Sequence, residues 1–340
     1  MRAPSPRGPL SAALLEALTG APGPVHALQV AADRAVAVTR DVIGDEDVQL
    51  ALLVLYELHY RGVDGVDEAW EWQPDLLRVR ATLEQAFEAA LRALVPVPAT
   101  AARSAAEVAE ALFELTSAED GPSVSSYIAK KASDDQLREF IVQRSIYHLK
   151  ESDPHSWALP RLSGRPKSAL IEIQADEYGG GRPGHIHSEL FAGTMRAMGL
   201  DDTDGAYVDQ VPAHTLASTT MMSLFGLHRR LRGAITGHLA AFEMTSSVPC
   251  RRYGNGFRRA GYGPDVTFYF DEHVEADAVH EQIAGRDLAG ALAEMEPGVR
   301  DDVFWGAAAY LVVDALAGAR MLSAWEQGAS SLRAPVRVAA

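Results

Sequence analysis

Cysteine is almost absent from this chain: Cys250 is the only one among 340 residues. A single thiol cannot form an internal disulfide, and it excludes cysteine-rich zinc and iron–sulfur sites within one chain. The N-terminal apolar run is short and is interrupted by Glu16, so it does not resemble a secretory signal. We therefore expect a protein of a reducing compartment, with the cytoplasm as the default location.

Basic side chains are scarce relative to acidic ones, at 31 against 46, which gives a formal net charge of −15. A surface this acidic repels phosphate backbones and anionic lipid head groups, so we expect neither a nucleic acid nor a membrane as partner. No stretch of about 18 uncharged apolar residues is present, and a membrane-spanning helix is not predicted. Motifs for dinucleotides, for P-loop phosphate binding and for serine hydrolases are missing as well.

Hydrophobic residues make up 47% of the chain, and they recur every three to four positions, which predicts an all-α fold. Residues 1–120 are expected to form an N-terminal helical domain, a candidate for self-association as a homodimer. Residues 121–330 are expected to form a second helical domain after a linker at Ala118–Ser123. Within it, the pattern predicts one long helix over Pro212–Ser246 and another from Pro264 to a C-cap at Gly285.

Three ionisable side chains share one face of the helix that starts at Pro264. His273, Asp277 and His280 are spaced by four and three residues, so they fall on one stripe together with apolar Val266. Burying two imidazoles and a carboxylate is costly unless they find partners. A divalent metal ion is the simplest shared partner, and this mixture suits iron, manganese or zinc. A solvated charged face is the alternative interpretation.

Two further segments place acids and an imidazole where apolar residues are expected. Glu243 lies on the inward side of the predicted helix Pro212–Ser246, although a helix edge would also explain it. Glu177 and His187 flank a glycine-rich break at 179–184. A continuous helix would separate the two by about 80°, but the break allows both to face one cavity. The glycines could equally form a plain turn.

Several other polar residues have simpler interpretations. Glu57 and His59 are two positions apart, which puts them on different helical faces, so we interpret both as structural. His238 is expected to be an ordinary, partly buried histidine. Asp314 interrupts an apolar run, and a hydrogen bond to a neighbouring helix is the role we expect for it.

With these residues in hand, the chain resembles the heme-oxygenase-like diiron oxidases and oxygenases, a family also called iron-containing redox enzymes. In that family one core helix supplies a Glu with a His ten residues later, a second helix supplies another Glu, and a final helix supplies His-x-x-x-Asp-x-x-His. The sequence has these elements in the same order, within about residues 130–325. The resemblance implies a heme-oxygenase-like helical bundle without heme and two non-heme iron ions, held by Glu177, His187, Glu243, His273, Asp277 and His280.

The resemblance also implies an activity, in which two Fe(II) ions react with O₂ as co-substrate to oxidise a small molecule, with electrons from an external donor. The two-domain layout is similar to family members that oxygenate nitrogen. N-oxygenation of an amine in a specialised-metabolite pathway is therefore the favoured prediction. A cupin domain found in one such member is absent from these residues, so its second reaction is not expected.

Three questions stay open at this level. Oxidative desaturation or C–C cleavage of an amino or fatty acid is the alternative reaction. A metal-free helical enzyme or binding module is a second alternative. The residues also leave open the substrate, the assignment of each ligand to one iron, and the existence of a seventh protein ligand.

Overall fold

The computed structural model describes residues 1–117 and 123–334, and within these ranges it contains helices and no strand, which confirms the all-α prediction. The first helices are α1 (Pro9–Leu18), α2 (His26–Val38), α3 (Glu46–Glu57), α4 (Pro74–Leu94) and α5 (Ala105–Ser117). The following helices are α6 (Val124–Lys130), α7 (Asp134–His148), α8 (Asp153–Ser156), α9 (Gly164–Glu177), α10 (His187–Ala197), α11 (Ala213–Leu227), α12 (Arg232–Met244), α13 (Ser247–Arg259), α14 (Pro264–Gln282), α15 (Ala291–Met295) and α16 (Arg300–Glu326).

Helix α3 is the central helix of the N-terminal block. Asp45 caps its N-terminus by accepting hydrogen bonds from the backbone N–H groups of Asp47 and Val48. The helix packs against α11, where the Thr220 hydroxyl donates to the side-chain oxygen of Gln49 over 2.7 Å. Residues 118–122 of the expected linker lie outside the described residues, and the boundary between the two blocks stays a prediction.

Helices α12 and α16 pack closely along each other, and glycine makes this approach possible. A Cβ atom at Gly237 would overlap the backbone carbonyl of Val303, and one at Gly306 would overlap the backbone of Ala234. Because neither position has room for a side chain, the two helix backbones lie in direct contact. This contact fixes the axial position of α12, the helix that carries Glu243.

The prediction of one helix over Pro212–Ser246 is wrong, because this segment forms α11 and α12 with a break between them. His228 has an extended backbone, with φ −101° and ψ 115°, and its Nε2 lies 2.9 Å from a carboxylate oxygen of Glu84. The guanidinium of Arg161 donates to the backbone carbonyls of Gly226 and Leu227 at the end of α11. The carbonyls at the end of α11 therefore accept hydrogen bonds from Arg161 instead of from N–H groups of a further helical turn.

The predicted helix end at Gly285 is also wrong. The chain continues from α14 through a π-helical segment, Ile283–Gly290, into α15. Gly285 does not adopt a positive φ, and a Cβ there would lie 2.5 Å from the Cε of Met244. This glycine allows close packing of α12 against the π segment, and it does not cap a helix.

One helical stretch, Pro297–Glu326, is long and apolar enough to cross a membrane, with a mean hydropathy of 1.3 in its most apolar window. The sequence pattern predicts no such segment, because charged residues interrupt its apolar runs. In the structure Phe304 and Trp305 of this stretch are buried, and it packs along α12 as a core helix does. Length and composition are therefore weak evidence for a membrane span here.

A candidate metal centre

The six acidic and imidazole side chains singled out by the sequence converge in one buried cluster. They come from the end of α9, the start of α10, the end of α12 and the C-terminal half of α14. All are buried, with 1–6% of each residue exposed, so the interpretation of His273, Asp277 and His280 as a solvated face is not supported. Glu243 is equally buried and does not lie at a helix edge.

The glycine-rich break brings Glu177 and His187 together. Helix α9 ends at Glu177 and α10 begins at His187, and the Nδ1 atom of His187 lies 3.0 Å from Oε2 of Glu177. Gly179 has φ +75°, and a Cβ there would lie 2.8 Å from the backbone carbon of His185. The turn between the two helices therefore requires glycine at position 179, because a larger residue would be strained there and would clash with the backbone of His185. This requirement argues against the alternative that the glycines form a plain turn.

The potential ligand atoms form two overlapping groups that share Glu177. One group contains Glu151, Glu177, His187 and His273, and the other contains Glu177, Glu243 and His280; the ligand atoms of each group lie within 4.8 Å of one another. Asp277 borders the second group, with Oδ1 4.0 Å from Nδ1 of His280. Among the described residues, Glu177 is the carboxylate that could contribute a ligand atom to either group.

Glu151 is the member of this cluster that sequence reasoning missed. It follows the end of α7 in a polar segment for which the sequence pattern predicts no helix. Its carboxylate accepts from the Tyr269 hydroxyl over 2.8 Å. The next residue, Ser152, has a left-handed backbone with φ 73° and donates its hydroxyl to Oε2 of Glu177 over 2.9 Å. This strained turn directs Glu151 into the cluster.

Two imidazoles are oriented from outside the cluster. The Nδ1 of His273 lies 2.7 Å from the backbone carbonyl of Tyr269, and the Nε2 of His280 lies 2.9 Å from a carboxylate oxygen of Asp176. Each outer nitrogen must donate a proton to such an acceptor, so the inner nitrogen of the neutral ring keeps its lone pair. Metal-ligating histidines commonly have this arrangement.

The inner atoms of the cluster lack hydrogen-bond partners of their own. Nδ1 of His187, Nε2 of His273, Nδ1 of His280 and Oδ2 of Asp277 are buried and have no hydrogen bond of good geometry, although the two Nδ1 atoms lie 3.0 Å and 3.5 Å from carboxylate oxygens of Glu177 and Glu243. Orphaned buried polar atoms are rare in folded proteins and carry a free-energy cost. The donor set therefore fits cations at this position, with imidazole and carboxylate ligands of the kind that iron accepts.

Crowded carboxylates perturb the acid–base equilibria of the cluster. Burial and the neighbouring Glu177 raise the pKa of Glu151 to about 8. Burial, followed by Glu243, raises the pKa of Asp277 well above its ordinary value. Burial also opposes ionisation of Glu177, but the imidazoles around it, His187 first, lower its pKa to about 2. The acids cannot all ionise together, so the cluster without a cation retains protons that a metal ion would replace.

The residues interpreted as structural have partners elsewhere. Glu57 is fully buried and forms an ion pair with Lys150. His238 is completely buried, more than the partial burial expected, and its Nδ1 lies 3.1 Å from Nε2 of His155. Asp314 does meet a neighbouring helix, through Arg144 of α7.

A helical bundle that encloses imidazoles and carboxylates from facing helices is the usual architecture of helical metalloproteins. The chain belongs to the family of iron-containing redox enzymes, whose model matches residues 138–315, about half of the chain. It is also 25% identical over 198 residues to a nitrosourea synthase from Streptomyces achromogenes subsp. streptozoticus. That alignment covers 58% of this chain and 42% of the nitrosourea synthase, so the chain spans less than half the length of that relative.

Proposed function

We propose that this iron-containing redox enzyme is a non-heme diiron oxygenase that uses O₂ to oxidise a small molecule, with N-oxygenation of an amine as the favoured reaction. The two ligand groups that share Glu177 are the observation that carries the proposal. The ligands would be Glu151, Glu177, His187, Glu243, His273, Asp277 and His280.

The charge balance supports two metal ions over one. The cluster holds four carboxylates, from Glu151, Glu177, Glu243 and Asp277, and three imidazoles. When ionised, the carboxylates carry four negative charges in a buried volume, which two divalent cations neutralise completely. One divalent cation would leave two uncompensated negative charges, which is costly in a buried site.

Bound iron would supply the electron transfer to O₂ that an organic side chain cannot provide. The residues of this chain hold the ligands in place: Ser152 fixes Glu177, Tyr269 fixes both Glu151 and His273, and Asp176 fixes His280. Hydroxylation of an amine N–H consumes one O₂, two electrons and two protons and gives N–OH and water. An external donor must deliver the two electrons.

The name of the similar nitrosourea synthase refers to a product with an oxidised nitrogen, which favours nitrogen over carbon as the site of oxidation. Desaturation or C–C cleavage would give different products from the same cluster, so product analysis separates these reactions. The expected partners are a small-molecule substrate and the electron donor.

The test is iron content followed by O₂ chemistry. The anaerobic protein supplied with Fe(II) should bind about two iron ions per chain and develop a transient visible absorbance on exposure to O₂. Glu151→Ala, Glu243→Ala and His273→Ala should each lower the iron content. His185→Ala is the matched control, because this exposed histidine lies two residues from His187 and should load iron fully. Full loading of the three cluster variants would refute the ligand assignment.

A further inference from the structure

One part of the surface is basic, although the chain as a whole is acidic. Helices α6 and α13, together with Lys131 at the C-cap of α6, carry six of the 31 basic residues of the chain and none of its 46 acidic ones. Five of these six residues are exposed to solvent, and we call them the basic face: Lys130, Lys131, Arg251, Arg258 and Arg259. A concentration of one charge attracts a partner of the opposite charge.

The packing of α13 against α6 joins these charges into one surface. A Cβ atom at Gly256 of α13 would lie 2.6 Å from the side chain of Ile128 in α6, so glycine allows the two helices to pack closely here. The guanidinium of Arg259 donates to the backbone carbonyls of Ile128 and Ala132, over 3.2 and 2.6 Å. These carbonyls flank the two lysines in sequence, so the charges of both helices lie side by side.

Few acids compensate the charge of the basic face. Two acids border it by direct contact: Asp271 of α14 pairs with Arg258, and Asp134 of α7 accepts from the Tyr262 hydroxyl and pairs with Arg138. Among the described residues, Lys130 and Arg251 form no ion pair. Their charges therefore remain available to a partner.

The basic face points away from the cavity that borders the cluster. That cavity has a volume of about 730 Å³, and its wall includes Arg252 of α13, whereas the five residues of the basic face lie outside the wall. The spacing of Arg251, Asn255 and Arg258 puts these exposed residues on one stripe of the helix, opposite buried Phe257. Such a stripe meets the surface of another macromolecule and not a small molecule in the cavity.

Helix α13 also lies next to the candidate metal centre. It begins four residues after Glu243, and the Ser247 hydroxyl donates to the backbone carbonyl of Val274, which follows His273, over 3.3 Å. From there α13 packs along α14, the helix that carries three of the candidate ligands. A partner on the basic face is therefore separated from α14 by a single layer of helix.

We propose that the basic face is the docking surface for an acidic one-electron carrier protein. This inference rests on the proposed function, which requires two electrons from outside the chain. Two reduced carriers give up one electron each, and these electrons, one O₂ and two protons from water convert an amine N–H into N–OH and water. Electron-transfer partners use small interfaces, below about 1,200 Å², so a helix face and a neighbouring helix end suffice.

The remaining surface argues against larger polyanions as the partner. The chain has a net charge of −15 in spite of the basic face, so acidic side chains outnumber basic ones over the rest of the molecule. A nucleic acid or an anionic membrane extends beyond the basic face and is repelled there. A small acidic protein can contact the basic face alone.

The test measures binding of a carrier to the metal-free full chain, so it does not depend on iron or O₂. The probes are two acidic carriers, a plant-type [2Fe–2S] ferredoxin and a flavodoxin, each titrated by calorimetry. We expect at least one to bind with micromolar affinity at low ionic strength. Raising the salt concentration from about 20 mM to about 300 mM should weaken this binding at least tenfold, because salt screens exposed charges.

Charge reversal locates the surface. Arg251→Glu should weaken carrier binding about fivefold, and the double variant Lys130→Glu, Arg251→Glu about twentyfold. The matched controls are Arg34→Glu and the double variant Arg34→Glu, Arg40→Glu, which change the net charge equally at exposed arginines of the N-terminal block. Both controls should bind within about twofold of wild type. Circular dichroism and thermal unfolding should show the same fold for all four variants.

Failure of the docking surface and failure of the proposed function give different results. If neither carrier binds, or if the controls weaken binding as much as the basic-face variants do, the docking surface is refuted while iron loading is unaffected. Tighter binding of a short RNA or of phosphatidylserine vesicles than of the carriers, at the same salt concentration, also refutes it. If a carrier binds as expected but iron does not load, the diiron proposal is refuted and the docking surface stands.

Discussion

Glu57 and Glu177 are both buried carboxylates, 0% and 6% exposed, but their surroundings differ. Glu57 at the end of α3 faces a single buried cation, Lys150, so the protein itself supplies the compensating charge. Glu177 lies among three further carboxylates and three imidazoles, and several of the facing atoms have no hydrogen-bond partner. The first arrangement balances its charge one to one without a ligand, although the carboxylate oxygens of Glu57 also lack a hydrogen bond of good geometry. The second is balanced only when cations or protons are added.

The comparison teaches that burial of charge does not by itself identify a functional site. A one-to-one pair of opposite charges in the core is often a structural solution, whereas an excess of one sign of charge points to a missing cation. Both arrangements occur close together in the chain, since Lys150 and Glu151 are neighbours in sequence.

The largest expected effect concerns the Glu57–Lys150 pair, which joins the N-terminal block to the second block. Glu57→Gln removes the nearest counter-charge of the buried Lys150, and breaking such a pair typically costs about 3–5 kcal/mol. Burial already lowers the pKa of Lys150 to about 8, so deprotonation of the lysine limits the loss. Urea denaturation of the metal-free protein at pH 7 measures the change.

The double variant Glu57→Gln, Lys150→Met is the control for this prediction. It removes both charges and should recover most of the lost free energy of unfolding. If the double variant loses as much free energy of unfolding as the two single variants together, the two residues act independently. Glu57 and Lys150 would then not be a compensating charge pair, and the contrast with Glu177 would fail.

An effect of opposite sign is expected in the cluster. Asp277→Asn removes one of the crowded carboxylates, so the metal-free protein should become more stable, by on the order of 1 kcal/mol at pH 7. The same variant should bind less iron. Thermal unfolding and metal analysis on the same samples measure both properties.

The pH dependence of that effect follows from the raised pKa of Asp277, which burial and Glu243 cause. An acid with a raised pKa in the folded state binds more protons there than in the unfolded chain, so it destabilises the fold above its unfolded pKa of about 3.9. The advantage of Asp277→Asn should therefore grow between pH 5 and pH 8. An advantage that shrinks over this range would contradict the assignment of Asp277 to a crowded carboxylate cluster.

The smallest effect is expected for an exposed charge. The Tyr262 hydroxyl, followed by Arg138, lowers the pKa of Asp134 at the start of α7. Its stabilising contribution is complete above the unfolded pKa of about 3.9 and is lost as pH falls through the lowered value. Asp134→Asn should cost less than about 1 kcal/mol at pH 7. Chemical denaturation at pH 7 and pH 4 should show a smaller difference in free energy of unfolding between wild type and Asp134→Asn at the lower pH. A destabilisation as large as that of Glu57→Gln would contradict the distinction between exposed and buried charges.

The helical class and most potential ligands could be predicted from the sequence because both depend on local spacing. His273, Asp277 and His280 lie on one stripe of any regular helix, whatever the rest of the fold does. Glu177 and His187 are ten residues apart, and the glycines between them, which allow positive φ, already indicate a reversal of the chain.

The helix breaks and Glu151 could not be read in this way because distant residues determine them. Arg161 ends α11 through carbonyls 65 and 66 positions away, and Met244 explains why Gly285 packs closely instead of capping a helix. Glu151 follows a helix end in a polar segment, where an acid ordinarily faces water. Its burial depends on Tyr269, 118 residues later in the chain.

The sequence by itself determined the helical fold, the acidic surface and the residue types of the cluster, since each follows from composition or from periodicity within one helix. Only the tertiary structure decided that Glu177 is shared by two ligand groups and that Glu151 completes the first group. The physical reason is that these relations depend on the rotation and axial position of packed helices. Close contacts such as Gly237 against Val303 set those positions, and they join residues far apart in the chain.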